Sequence, residues 1–394
     1  MDLSRRSFLR GLGMAATAGL TVVGRAAEKP IPGFEPQAPD PNAALGWKPV
    51  SDRKVRVGIV GYGYCKFGAQ FGFQHHPNVE VVAVSDLIPE RCANLARECN
   101  CAKTYPSLEE LVKDDRIEAV FVATDAPSHA RHCMDVLNHG KHVASAVPAV
   151  FGSLADADAL FATVQKSGRR YMMFETSCFR DELYAMRQIY RAGGFGKLVY
   201  AEGEYFHFQQ EPLPSYKEWR TGLPPQWYPT HSNAYYIGVT GGHFTEVSCM
   251  AMPSETPCLH AENNRYRNPF GTEVALLRTS EGGSARMAVS WDTPGYDGEM
   301  GRVRGQRGSY YKSFVGRERN RADLRRPPLP PGVEAGGHGG SHGHLMNEFV
   351  TAILEDRQPL VNIAWALNMT VAGIVAHESA LKGGELLKIP TYAL

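Results

Sequence analysis

His231 and Tyr235 stand four positions apart in the run Pro229-Thr-His-Ser-Asn-Ala-Tyr235. If Pro229-Thr230 opens a helix, that spacing puts both side chains on one face, where they can share a substrate. Histidine's ordinary pKa lies near neutrality, so His231 is a candidate general acid or base. The bland alternatives are a ring that caps or packs its helix, and for Tyr235 a place in the core. Removing a proton beside a carbonyl needs a base and releasing a leaving group needs an acid, so a neighbouring carboxylate is wanted. Glu175, directly after the apolar run Tyr171-Met-Met-Phe174, is the candidate; its alternative is an ion pair with Arg180. The segment Gly336-Gly-His-Gly-Gly-Ser-His-Gly-His344 gathers imidazoles of the kind transition metals take. Its glycine density suits better a backbone that passes close to a substrate, which makes His338 and His342 substrate-binding candidates and leaves no metal site expected.

A second group of residues points to a dinucleotide. The apolar run Val55–Val60 leads directly into Gly61-Tyr62-Gly63, where a tight turn would let backbone approach a pyrophosphate. Lys66 holds the place of the third glycine of that fingerprint, with Gly68 two residues on, so the turn is expected to be longer than usual or its helix less closely packed. Asp86 closes the next strand, 23 positions after Gly63. A carboxylate there accepts hydrogen bonds from the adenosine ribose and repels a 2′-phosphate, which favours NAD over NADP. Its alternative is a helix cap for the segment near Pro89.

The elements that must position these residues follow from periodicity. Val55–Val60, Val79–Val84, Ala119–Ala123 and His142–Ala144 are short β-branched runs separated by helical stretches, one with the capping box Ser107-x-x-Glu110 and one stopped by Gly140. Strands apolar on both faces and alternating with helices predict a doubly wound parallel Rossmann sheet. After Phe174 the pattern changes to long alternating strands over 197–208, 273–278 and 284–291, then helices over 345–355 and 364–381 ended by Gly383-Gly384. That predicts a C-terminal α+β domain with a large, mostly antiparallel open sheet. The expected organisation is residues 1–27 as export signal, 28–53 as a Pro-rich arm, 54–174 as the NAD-binding Rossmann domain and 175–394 as the substrate and oligomerisation domain.

Composition bounds the function. Of 394 residues, 42 are Lys or Arg and 41 Asp or Glu, a formal net charge of +1, which supplies no global field for holding a nucleic acid. Hydrophobic residues at 43% fit a folded globular chain rather than a disordered one. Ser4-Arg5-Arg6-Ser7-Phe8-Leu9, followed by a short Gly- and Ala-rich apolar stretch and Ala26-Ala27, is a twin-arginine export signal, the alternative being an uncleaved anchor. It predicts an extracytoplasmic or periplasmic protein that is not membrane-bound after export. Eight cysteines show no paired spacing, so neither a disulfide framework nor a zinc site is expected. Arginines at 317, 319, 321, 325 and 326 read as a solvated loop in preference to an acidic-substrate site.

From about residue 54 to 394 the chain resembles the glucose-fructose oxidoreductase, inositol dehydrogenase and MocA family (Gfo/Idh/MocA). The resemblance rests on Val57-Gly-Ile-Val-Gly-Tyr-Gly63, Val82-Ala-Val-Ser-Asp86, Val122-Ala-Thr-Asp-Ala-Pro-Ser-His129, Gly140-Lys-His-Val143 and Ala376-His-Glu-Ser-Ala-Leu381. It implies bound NAD, with Gly61, Tyr62, Gly63, Tyr64, Asp86, Thr124, His129, Ala146 and Pro148 around it, and a carbohydrate substrate. Typical members carry Glu-Lys-Pro where this chain has Ala146-Val147-Pro148. Losing that lysine removes a cation favouring the alkoxide during hydride transfer. Glycoside hydrolase family 109, a branch that also lacks the lysine, is similar at Tyr171–Glu175, at Phe195-Gly-Lys-Leu-Val199 and at Tyr228-Pro-Thr-His231, the last of these matching His231 to that branch's histidine. The match is partial, because that branch has Glu at the place of Ala146 and Tyr at the place of Phe179.

The resemblance implies an NAD(P)-dependent oxidoreductase acting on a sugar or glycoside with tightly bound NAD. The alternatives are a redox-neutral glycosidase or lyase working by transient C3 oxidation and elimination, and a non-catalytic carbohydrate-binding relative. Trp219 and Arg220, with Trp227 and Trp291, are candidates for stacking on a sugar, their alternative being core. The open face of the second sheet predicts a homo-oligomer.

Overall fold

The computed structural model describes residues 47–316 and 326–394. The twin-arginine segment, most of the Pro-rich arm and four of the five clustered loop arginines lie outside the described residues.

The first sheet contains β1 (Val55–Val60), β2 (Val79–Ser85), β3 (Thr104–Tyr105), β4 (Ala119–Val122), β5 (His142–Ser145) and β6 (Tyr171–Met173). All pair in parallel in the order β3-β2-β1-β4-β5-β6. Every residue of β4 and all but Arg56 of β1 are buried, as strands covered by helices on both faces must be. Strand order reverses between β1 and β4, so the turns at their C-terminal ends splay apart and open the crevice in which such sheets bind ligands.

The second sheet contains β7 (Leu198–Phe206), β8 (Phe244–Pro253), β9 (Phe270–Thr279), β10 (Ser284–Ser290), β11 (Gly298–Gly305), β12 (Gly308–Tyr311), β13 (Ser313–Gly316) and β14 (Leu387–Lys388). Its order is β13-β12-β11-β7-β10-β9-β8-β14, antiparallel except for the β7–β10 pair. One face carries the buried helices Thr230–Thr240 and Ile363–Leu381. The other leaves Met250, Met252 and Leu276 exposed. Strands β8 and β11 to β13 are additions to the sequence-based expectation.

An aromatic cluster ties the two halves together beneath the crevice. Phe71 follows β1, Phe121 lies in β4, Phe174 follows β6 and Phe349 belongs to the helix His342–Leu354. Their ring centroids stand 5.3 Å (Phe71–Phe121), 4.9 Å (Phe121–Phe174) and 6.1 Å (Phe174–Phe349) apart. Truncating such a buried ring costs about 3–5 kcal/mol, so the glycine turn after β1 and the histidine loop before that helix share one rigid base. All eight cysteines are free thiols.

Candidate active site

The turn after β1 is built on three glycines, and their placement decides between the two expectations for it. Gly61 has φ of 103°, and a Cβ there would stand 2.3 Å from the Ala123 carbonyl oxygen. Gly63 faces open space. The turn is lengthened, with Lys66 in the left-handed region ahead of the helical turn Phe67–Gln70, yet packing is close: a Cβ on Gly68 would lie 2.3 Å from the Gly61 carbonyl oxygen. Gly68 therefore does the close-packing work of the third glycine two positions late. Asp86 is committed to backbone, Oδ2 accepting from Tyr62 N at 2.7 Å and Oδ1 from Ile88 N at 2.8 Å. It thus braces the glycine turn and the Ile88 backbone just ahead of the helix Pro89–Glu98, which has no side-chain cap, and each oxygen keeps a second lone pair for a ribose hydroxyl.

These residues line a cleft of about 230 Å³ with Tyr64, Thr124, His129 and Ala146, closed from the other half by Trp219, Arg220 and Tyr228. The open glycine turn, the carboxylate at the strand end and the switch-point position fit a dinucleotide. Buried His129 holds the wall behind it: Nδ1 meets the Pro148 carbonyl oxygen at 2.8 Å and Nε2 the Thr124 carbonyl oxygen at 3.2 Å. Burial first keeps this ring below its ordinary pKa, so it stays neutral. Pro148 itself does not line the cleft.

A cavity of about 90 Å³ adjoins the cleft and shares Cys65, Phe67, Ala146, Val147, Arg220 and Tyr228 with it. His231 sits in its wall on the helix Thr230–Thr240, almost wholly buried. His231 Nδ1 donates to Glu175 Oε1 at 2.8 Å, and Glu299 Oε1 lies 3.8 Å from the same nitrogen. Glu175 Oε1 also accepts from Ser177 N at 2.9 Å, while Glu299 Oε2 accepts from the Ser177 hydroxyl at 2.7 Å and from Arg180 Nη1 at 3.1 Å. Burial alone would depress the imidazole; the Glu175 and then the Glu299 carboxylates outweigh it and lift its pKa to about 9. Burial pushes Glu299 upward, but His231, Ser177 and Arg180 bring it below the usual carboxylate range. His231 is accordingly an imidazolium at neutral pH, an acid ready to give a proton. Arg180 pairs with Glu299 and Glu182, not with Glu175.

The other predicted residues divide. Tyr235, on the same helix, is fully buried, lines none of these cavities and packs where a Cβ on Gly301 would stand 2.1 Å from its ring; burial raises its phenol pKa. It packs beneath the cluster, its hydroxyl buried without a hydrogen-bond partner among the described residues. Trp219 lies on the cofactor cleft, with the Arg220 guanidinium 4.3 Å over its ring, and Arg220 reaches both cavities. Trp227 packs against Phe151, and Trp291 Nε1 donates to the Leu223 carbonyl. His338 lines the smaller cavity; His342 stands behind it, buried. Among the described residues no group of three or more His, Cys, Asp or Glu side chains is arranged to hold a metal ion. Sequence reasoning missed Glu299 and Tyr205, whose ring lies 4.5 Å from that of His231. Both point inward from sheet strands, and for Tyr205 the alternation of β7 was the available signal.

Residues 55–175 match the family described as "Oxidoreductase family, NAD-binding Rossmann fold". That stretch is similar to the Gfo/Idh/MocA oxidoreductases. Among curated relatives, glycosyl hydrolase family 109 protein 1 of Bacteroides fragilis is 34% identical over 178 residues, a match spanning 42% of this chain and only 38% of that protein's length. Glycosyl hydrolase family 109 protein 2 of Akkermansia muciniphila is 25% identical across 99% of this chain and 96% of its own. Among solved structures, a levoglucosan dehydrogenase in complex with NADH superposes with a TM-score of 0.72 at 15% identity, covering 86% of this chain and 100% of the other. The apo scyllo-inositol dehydrogenase of Lactobacillus casei gives 0.67 at 14% identity over 86% and 99%. At such identities the likeness is one of fold, and it extends over both sheets.

Proposed function

We propose that this chain is a Gfo/Idh/MocA-type NAD-dependent enzyme acting on a glycoside, which it oxidises transiently, cleaves by elimination and reduces again without net redox change. The observation that carries this reading is the charged His231 between two carboxylates, in a cavity that adjoins the dinucleotide cleft and whose wall has Val147 in place of a lysine. An enzyme doing only alcohol oxidation needs a group that accepts a proton, whereas a resting imidazolium suits protonation of a departing oxygen. NAD, when bound in the cleft, supplies hydride acceptance and return. Glu175 fixes the His231 ring through Nδ1 and leaves Nε2 for the substrate; Glu299, Ser177 and Arg180 hold the charge balance around it.

Two further features belong to the same reading. The Ser4–Leu9 twin-arginine segment supports export of a folded, cofactor-loaded protein to an extracytoplasmic compartment, where free NAD is scarce and a self-restoring cofactor is an advantage. The uncovered face of the second sheet supports assembly with a second copy of the chain.

The test uses protein as purified, following bound nicotinamide absorbance while a panel of glycosides is added and released aglycone is assayed. Aglycone without accumulating NADH supports the reading; NADH without cleavage would make the chain a sugar dehydrogenase. His231→Ala should abolish release while NAD stays bound, and undiminished release would mean that His231 is not the acid; a wild type giving neither aglycone nor NADH would indicate a binding protein.

A further inference from the structure

Besides His207, Tyr205 and Tyr228, the titratable side chains facing the substrate cavity outside the acid cluster include His338, on the glycine-rich loop. Its backbone has φ 48° and ψ 53°, followed by Gly339 at φ 67°. A residue with a β-carbon holds left-handed geometry at a cost of about 1–2 kcal/mol, and such outliers persist where surroundings over-determine them. Here they do. Arg326 donates to the Phe179 and Gly340 carbonyls and pairs with Asp181, and Gly339 lies so close to Arg180 that a Cβ would stand 3.3 Å from the guanidinium carbon.

The proton positions on this loop follow from its hydrogen bonds. His342 Nδ1 lies 3.2 Å from the Gln70 carbonyl oxygen, which can only accept, so His342 carries its proton on Nδ1. In a neutral His342 the other nitrogen, Nε2, is then an acceptor. Its neighbour at 2.8 Å is His338 Nδ1, which must therefore be the donor. A neutral His338 is left with a bare Nε2, the end of the ring not engaged by the relay. Gly336 and Gly337 are what allow this stack, since a Cβ on Gly336 would lie 2.9 Å from the His342 Cβ and one on Gly337 2.9 Å from its ring.

We propose that His338 Nε2 is the proton acceptor for the substrate hydroxyl undergoing oxidation, that His342 fixes its tautomer through Gln70, and that His231 is the matching acid. In that step the hydroxyl O–H bond breaks and its proton forms an N–H bond at His338 Nε2, while the oxygen's electron pair closes the carbonyl as the carbon's hydride leaves to NAD, the oxidant. Reduction later returns the proton. The inference rests on the transient-oxidation reading above. It accounts for how the chain works without the lysine that Val147 replaces.

The charges around His338 favour this division. His338 is exposed on its loop side, but the water its ring loses to the surrounding packing first, then the His231 imidazolium, depress its pKa; Glu299 and Glu175 act the other way and Arg180 adds to the depression. His342 is brought to about 4 by burial and by His338, so the relay is neutral at working pH. Two histidines in one cavity are thus held in opposite proton states by their neighbours.

The experiment is a long-range nitrogen–proton correlation spectrum of holoenzyme labelled with nitrogen-15 histidine, beside aglycone-release rates. The expected spectrum shows neutral His338 protonated on Nδ1 and bare on Nε2 at pH 7, and His342→Phe restores the ordinary Nε2-protonated form. A wild-type His338 carrying its proton on Nε2 overturns the proposal. His338→Gln should keep its NAD content yet lose roughly 100-fold or more in release rate, with the acid limb of the pH profile gone. Release within threefold of wild type overturns it as well. A wild-type protein that cleaves no glycoside sinks the functional reading instead, and the tautomer spectrum still decides the state of His338.

Discussion

At the scale of residues, the site is a proton-sorting device in which environment, not residue type, assigns roles. His231 and His338 share a cavity, yet buried His231 is held charged by carboxylates, while His338, partly open to solvent on its loop, is held below its ordinary pKa by the water its ring loses to the packing around it and by its charged neighbour. The sign of the pH dependence follows. His231 acts in its charged form, so activity should fall as pH rises through about 9. Glu175→Gln removes the charge that does most to raise the imidazole, so the alkaline limb should move down by roughly 1–3 pH units. Glu299→Gln should move it in the same direction by less, because its oxygen stands 3.8 Å from Nδ1 against 2.8 Å for Glu175. Rate profiles of the three proteins between pH 5 and pH 10 (roughly the span in which histidine can titrate) check both; an unmoved limb in Glu175→Gln would mean another group sets it.

At the scale of elements, the glycine turn shows why a fingerprint is a statement about contacts and not about spacing. Gly68 meets the Gly61 carbonyl as closely as the missing third glycine would, so the two open and packed positions can be separated by mutation. Gly68→Ala must displace backbone and should cost about 1–3 kcal/mol of stability, visible as a lowered melting temperature and lost nicotinamide. Gly63→Ala has open space around its methyl group and should melt like wild type while retaining less NAD. Equal melting of the two variants would refute the assigned roles. The same contrast explains what the sequence made legible. Strand β4 throughout and β1 in all but Arg56 are apolar because helices cover both faces, and that pattern reads directly. His231 and Glu175 were recognisable as a candidate pair because each adjoins a readable element. Glu299 was not, because β11 runs Gly-Glu-Met-Gly-Arg-Val-Arg-Gly, with glycines and charges where an apolar alternation would announce a strand. Strand β8 was hidden for the opposite reason: Val247 and Cys249 face inward, but Met250 and Met252 on the other side are apolar too, which erases the alternation.

That erased alternation is a whole-molecule signal. Met250, Met252 and Leu276 are 65%, 73% and 59% exposed on one continuous face of β8 and β9, a larger apolar display than isolated surface residues make. Farther along the same face Arg286 pairs with Glu202 and Glu204, and Arg302 with Glu202, so a greasy margin borders a balanced charge network. A patch of both kinds can meet its own copy across a two-fold axis, apolar strip on apolar strip and each arginine near a second set of carboxylates. Light scattering and sedimentation of the purified protein should therefore give a mass at least twice that of the chain. Replacing Met250 and Leu276 with Lys should return it to a single chain with NAD content unchanged, since both side chains project away from the face that carries His231 and the helix Ile363–Leu381. A wild-type monomer would mean the exposed face is covered by something other than a second copy. A variant that stays assembled would place the interface elsewhere on the molecule.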